Sequence, residues 1–218
     1  MYALMTLISA GIEAGAGAVS NKVGTARRRR VIQKAEPVTD TTTGRLREIS
    51  GRATAGPAGT VTSPFSGKSC VWYVLTVHER YQAWRPGPLG PTKIVRQTKV
   101  AEQLSGPLHV TSDTAAVRVD ARGARLELGE PAFTEFEDSP SGPLAARLAA
   151  MLGGRLRPRH RDRTLGFVVE ERIVTEGDVL YVAGQTRTEL GDLVIGKPAM
   201  QPLIVSRTSA VRVSAAED

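Results

Sequence analysis

The stretch SPFSGKSCVWYVLTVHERYQAW, residues 63–84, decides the fold. It opens with two breakers, Ser63-Pro64 and Ser66-Gly67, which read as a turn. From Cys70 to Tyr81 the chain is rich in β-branched and aromatic residues. Tyr73, Leu75, Val77 and Glu79 share one face, and Val74, Thr76, His78 and Arg80 share the other. A strand that is apolar on one face and mixed on the other packs on a core and leaves one side partly wet. The stretch ends in Trp84, followed by a Pro/Gly loop at 86–91. A tryptophan at a strand end brings a large apolar area. Trp84 is therefore expected in the core, with a partner or ligand groove as the alternative.

Outward from this strand, residues 93–104 alternate again through Ile94, Arg96, Thr98 and Val100. They are expected to return as the second arm of a hairpin. Short strands follow at 108–111, 115–120 and 125–128, with turns at Ser112-Asp113 and Arg122-Gly123, and an earlier one is expected at 45–55. Such spacing points to an antiparallel meander. Pro143 followed by Ala, Leu and Arg up to Leu152 reads as a short helix, stopped by Gly153-Gly154. Residues 166–184 hold two strands around Glu176-Gly177-Asp178, where Gly177 suits a turn that needs positive φ. Residues 194–195 and 203–207 add further short strands. The expected fold class is α+β: a mainly antiparallel β-sheet (meander) domain with one short internal helix and an N-terminal helix.

The N-terminal helix is expected over residues 1–26, where Leu4, Ile8, Ile12, Ala16, Val19 and Val23 recur at helical spacing. Its length would cross a bilayer. However, Glu13 lies mid-segment and Ala and Gly are frequent, which weighs against a span. An interfacial or partner-packing helix and a plain soluble helix remain alternatives. Arg27, Arg28, Arg29 and Arg30 follow at once. They suit an anionic membrane surface, would attract nucleic acid, and also fit a solvated basic linker. The domain reading is residues 1–34 as helix and basic segment, 35–44 as linker, and 45–213 as the β-rich domain.

The net charge of +7 is unevenly placed. Residues 1–34 hold six cations and one acid, and residues 155–163 hold five arginines and one acid, so the rest of the chain is close to neutral. Arg155, Arg157, Arg159, Arg161 and Arg163 occupy alternate positions. In an extended chain they would all face one side and could bind phosphate groups. The alternative is a solvated loop. The excess of arginine over lysine points to a GC-rich, bacterial coding sequence.

Several chemistries are excluded. The single cysteine, Cys70, permits no intramolecular disulfide, and with three histidines it cannot supply the ligands of a common zinc finger. Cys70 is expected as a small buried hydrophobe. Glu170 and Glu171 are adjacent on a strand and point to opposite faces, as do His78 and Glu79, so neither is an acid–base pair. His109 reads as a strand residue. No triad, phosphate loop or metal motif is present, and no cofactor or metal is expected.

Three blocks carry a resemblance. The first is Gly51, Ser63-Pro64 with Gly67, Cys70-Val71 with Tyr73, Glu79 and Trp84. The second is Glu171 with Gly177-Asp178, Tyr181-Val182 and Gly184. The third is Leu203-Ile204-Val205-Ser206. In this order and spacing the chain resembles the GIDE domain, also called BAM for "beside a membrane". The domain is best known from a mitochondrial ubiquitin ligase that carries a RING finger, and the likeness is to the bacterial form without one. The resemblance implies structural roles for Pro64, Gly67, Cys70, Tyr73, Glu171, Gly177 and Gly184. It also implies a membrane-associated place at the cytoplasmic face. RING activity is what recruits a loaded conjugating enzyme, and one cysteine cannot build a RING. The expectation is therefore a non-enzymatic scaffold that docks a protein or peptide partner, with Trp84 and the 155–163 arginines as candidate binding residues. The alternatives are a substrate-receptor part of a ubiquitin ligase whose catalytic chain is separate, and a nucleic-acid or phospholigand binder, which is less favoured.

Overall fold

The computed structural model describes residues 31–39, 43–88, 90–160 and 163–207. The expected helix at 1–26, Arg27 to Arg30 and Arg161 lie outside the described residues. The strands are β1 (Glu36–Pro37), β2 (Leu46–Thr54), β3 (Val61–Thr62), β4 (Ser69–Cys70), β5 (Trp72–Arg85), β6 (Thr92–Leu104), β7 (Leu108–Thr111), β8 (Ala116–Val119), β9 (Arg125–Glu127), β10 (Phe133–Glu137), β11 (Thr164–Val174), β12 (Val179–Glu189), β13 (Asp192–Gly196) and β14 (Ile204–Arg207). The helix α1 (Pro143–Leu152) precedes a 3-10 turn at Gly153–Arg155, and residues 31–34 are also helical.

Two large sheets divide the work, beside a two-stranded pair of β3 and β4. In the first, β2, β7, β8, β13 and β12 follow one another, and β12 pairs back onto β2, closing a five-stranded barrel. The other edge of β12 is shared, β14 taking residues 180–183 and β13 taking residues 185–189. The pairs β8–β13, β9–β14 and β1–β2 are parallel. The architecture is therefore not the expected meander. Strand spacing along a sequence fixes where strands lie but not which strand each one meets. Here the partners are chosen by a shared core of Ile49, Leu108, Val110, Val119, Leu180, Val182, Ile195 and Val205. The expected linker contributes β1 and the buried Val38.

The second sheet has the order β10-β11-β5-β6 and is wholly antiparallel. β5 and β6 form the expected hairpin. Around Gly177, however, β11 and β12 do not pair with each other. The chain there leaves the second sheet and enters the barrel, and Gly177 has φ +86° at the crossing.

α1 lies against this second sheet, burying Leu144, Ala145, Leu148 and Leu152 over Leu75, Val77, Phe167 and Val169. Pro143 fits a first helical turn that needs no donor there. Gly142 has no side chain to cap the helix. The Glu137 carboxylate at the end of β10 accepts from the Ala145 N–H at 3.2 Å instead.

Gly184 shows how tightly the barrel closes. A β-carbon there would stand 2.7 Å from Leu203 Cδ1, 2.8 Å from Ile195 Cγ2 and 2.6 Å from the Gly196 carbonyl oxygen. Overpacking of a filled core costs ~1–3 kcal/mol. Urea unfolding of Gly184→Ala is expected to show a loss of that size, with an unchanged slope.

Candidate functional site

The two central strands of the second sheet carry a patterned inner face. Register places Glu79 opposite Phe167, Val77 opposite Val169 and Leu75 opposite Glu171. An apolar patch thus ends in one carboxylate at each diagonal corner, and both are fully buried. Each carboxylate grips a loop by its backbone. Glu171 accepts from the Phe65 N–H at 3.0 Å and the Ser66 N–H at 2.8 Å. Glu79 accepts from the Arg159 N–H at 2.8 Å, the His160 N–H at 3.1 Å and the Thr164 hydroxyl at 2.5 Å. A buried carboxylate is tolerated only when hydrogen bonds replace its water. Burial raises the Glu79 pKa, but the donors of Thr164, Arg159 and His160 outweigh it and hold the group below the usual range.

This accounts for most of the motif residues. Ser63-Pro64 and Gly67 form the loop that Glu171 holds, and the Gly67 N–H donates to the Ser63 carbonyl at 3.1 Å. Cys70 is buried, with its thiol 3.6 Å from the Val61 carbonyl. Burial, aided by the Glu171 charge, pushes that thiol's pKa up, which is the reverse of what a nucleophile needs. Tyr73 is half-buried and accepts the Gln103 amide at its hydroxyl.

The arginine row is not extended. Arg155 ends a 3-10 turn. Arg155 Nε donates to the Leu152 carbonyl and Arg157 Nε to the Gly154 carbonyl. Arg159 and His160 are fixed by their backbone on Glu79. His160 stacks on Tyr81, with ring centroids 3.6 Å apart. Residues 155–160 therefore form a folded loop, because the Arg159 and His160 N–H groups donate to the Glu79 carboxylate and pin the chain there. Arg159 and Arg163 are exposed but belong to a folded-back loop.

Trp84 is not a core residue. It is 53% exposed, and Lys93 lies over its ring at 5.4 Å. The reason is hairpin length. The partner β11 begins opposite Tyr81, so residues 82–85 and 92–95 project past the sheet as a two-stranded ribbon. Trp84 lies on the face of the sheet that α1 does not cover. The same open face carries Phe136, 50% exposed under the Arg80 guanidinium, and Val95, 53% exposed. His78 also lies there. Its burial, with Lys99 and Arg172 nearby, lowers its pKa against the opposing pull of Glu170. Phe136 and β10 escaped the sequence reading, although Phe133 to Glu137 alternates and is bounded by Pro131 and Ser139-Pro140.

A cleft of about 320 Å³ lies between the start of β7 and the β8 and β12 ends of the barrel, lined by Pro107, Arg118, Asp120, Arg122 and Glu189. Arg122 and Arg187 both donate to the Asp120 carboxylate, at 2.6 and 2.7 Å. The Arg122 bonds, reinforced by Arg187 against the opposing effect of burial, hold that carboxyl well below the usual carboxylate range. It stays ionised and saturated at neutral pH, so it is no proton donor. Among the described residues no three His, Cys, Asp or Glu side chains converge as a metal site.

A family model described as GIDE, E3 ubiquitin ligase, matches residues 88–216. The chain belongs to the GIDE family. No curated protein and no solved structure matches it. The match takes in Glu171, Gly177, Gly184 and β14, while residues 63–84 lie ahead of it. In the folded GIDE domain these segments are one unit, because Glu171 holds the 63–66 loop and β11 pairs along β5.

Two outcomes follow for the carboxylates. Glu171→Gln keeps only one acceptor for two buried N–H groups, so unfolding in urea is expected to lose ~1–3 kcal/mol. Faster proteolytic cutting at 63–67 is expected alongside. For Glu79 the folded pKa lies below the ordinary 4.5. Its contribution to stability is full above that value and is lost as pH falls through the depressed folded value. Acid titration of the wild type is expected to show this loss, and Glu79→Gln is expected to flatten it.

Proposed function

We propose that this GIDE domain is a non-catalytic docking module that holds a protein or peptide partner beside an anionic membrane surface. The observation that carries this reading is the half-covered second sheet. α1 and the loops held by Glu79 and Glu171 fill one face, while Trp84, Val95 and Phe136 stand exposed on the other. Exposed aromatics on a rigid sheet are the usual anchors of protein contacts. The membrane part of the proposal rests on Arg27 to Arg30 and on the family resemblance. No helix of the described residues is long and apolar enough to cross a membrane.

The family description favours a second reading, a substrate receptor in a ubiquitin ligase whose catalytic chain is separate. One cysteine and three histidines cannot hold the two zinc ions of a RING within this sequence. A phospholigand role for the 155–163 loop is supported less, since Arg155 and Arg157 spend donors on their own loop carbonyls.

Three measurements test the proposal. Discharge of ubiquitin from a loaded conjugating enzyme is expected to be no faster with the chain than without it, and acceleration by the chain alone would overturn the non-catalytic reading. A photo-crosslinker at position 84 or 136 is expected to trap one and the same partner, identified by mass spectrometry. The same label at position 190, on the fully exposed Leu190 turn, is expected to trap none. The whole chain is expected to sediment with anionic vesicles, and replacing Arg27 to Arg30 by glutamine is expected to release it. Sedimentation unaffected by that change would remove the membrane part.

A further inference from the structure

The second sheet ends in β6, a strand of 13 residues that among the described residues pairs with β5 alone. Its outer edge is a row of backbone donors and acceptors with no strand beside it among the described residues. Such an edge is a template for strand addition. The charge along it is one-sided. From Arg80 to Ala101 the sequence has Arg80, Arg85, Lys93, Arg96 and Lys99 and not one Asp or Glu. Two of these cations are neutralised locally, Arg80 by Asp138 at 2.8 Å and Lys99 by Glu102 at 2.8 Å. Among the described residues Arg85 and Arg96 form no ion pair, and Lys93 rests on the Trp84 ring.

Register assigns each position a face. Lys93 stands opposite Trp84 and Val95 opposite Gln82, on the open face. Arg96 stands opposite Tyr81, on the face where Tyr81 stacks against His160. A strand laid along β6 would therefore meet a cation and an exposed valine on one face and a second cation on the other.

We propose that β6 accepts, by strand addition, an extended acidic segment of a partner protein. The segment places carboxylates beside Lys93 and Arg96 and a branched apolar residue beside Val95. Its pattern is acid–x–apolar–acid when parallel to β6 and acid–apolar–x–acid when antiparallel. This rests on the docking reading above and names its partner's chemistry. A second copy of the chain fits less well. Two β6 edges would set like charges against each other. The acids of the opposite edge, β10, are already engaged: Glu137 caps α1, Asp138 holds Arg80 and Glu135 lies 3.8 Å from Arg147. A phosphodiester chain or a bilayer would satisfy the cations but not the backbone edge.

The test uses the whole chain and two synthetic peptides of about twelve residues, a length that spans such an edge. One repeats the acid–x–apolar–acid pattern with Asp and Val. In the other, Lys replaces Asp. The acidic peptide is expected to bind, in a salt-dependent way, and to slow amide exchange along 92–99 while leaving 133–137 unchanged. The Lys peptide is expected not to bind. The exposed pair Lys93→Glu and Arg96→Glu is expected to weaken the acidic peptide about tenfold or more and to gain binding of the Lys peptide. That gain cannot come from misfolding. No binding of the acidic peptide at low salt would overturn the proposal. So would binding that ignores the charge swap, or binding that leaves β6 exchange unaltered. A dimer that protects β6 in place of peptide binding would reassign the edge to self-association, and loss of vesicle binding in the double variant without peptide binding would reassign it to lipid. Crosslinks from position 84 that persist while the peptide fails would leave the docking module standing without this partner.

Discussion

Along β5, Val74 faces the barrel core, and the next residue, Leu75, faces the side of the second sheet that α1 covers. Trp72 joins Val74 in the first cluster and Val77 joins Leu75 in the second. One strand thus belongs to two hydrophobic cores, and its alternation is what allows it. Trp72 fixes the junction further, since its indole N–H donates to the Gly106 carbonyl at 2.9 Å. A one-residue slip would exchange the two faces and empty both cores. The rest of the GIDE domain is arranged around that register.

The second sheet would have little to hold its loops without Glu79 and Glu171. Both are fully buried, and both spend their oxygens on backbone N–H groups of segments distant in sequence. A carboxylate in this role is stabilising only while every lone pair that matters has a donor. That requirement ties two loops to one sheet face and closes the face with α1. Past Trp72 and Val74, which face the barrel core, the opposite face has no such cover. It keeps Trp84, Val95 and Phe136 in water, a costly arrangement for a chain that had no use for them.

Several polar groups of the described residues are held by partners or by burial. Asp120 is held ionised by two arginines, Cys70 is buried with a raised pKa, and the inner carboxylates face loop backbone. What remains available is surface: an open sheet face and a long basic strand edge. The docking proposal rests on these two surfaces.

Sequence alone determined the strand positions from Leu46 to Val119 apart from β3, the hairpin of β5 and β6, α1 from Pro143 to Leu152, the burial of Cys70 and the family. These follow from local signals, namely alternation, breakers and a helix start, and from the order of short motifs. Tertiary structure decided the rest. Barrel closure, the parallel pairs and the crossing at Gly177 depend on which strands share a core, and spacing carries no record of that. Glu79 and Glu171 read in sequence as half of two mismatched pairs. Only the fold brings to each the loop donors that make it a clamp. Trp84 reads as a core residue by its size, and it is exposed because β11 starts opposite Tyr81 and leaves the hairpin end uncovered. The arginine row reads as an extended face or a solvated loop, and residues 155–160 are a loop whose backbone at 159 and 160 finds its acceptors on Glu79.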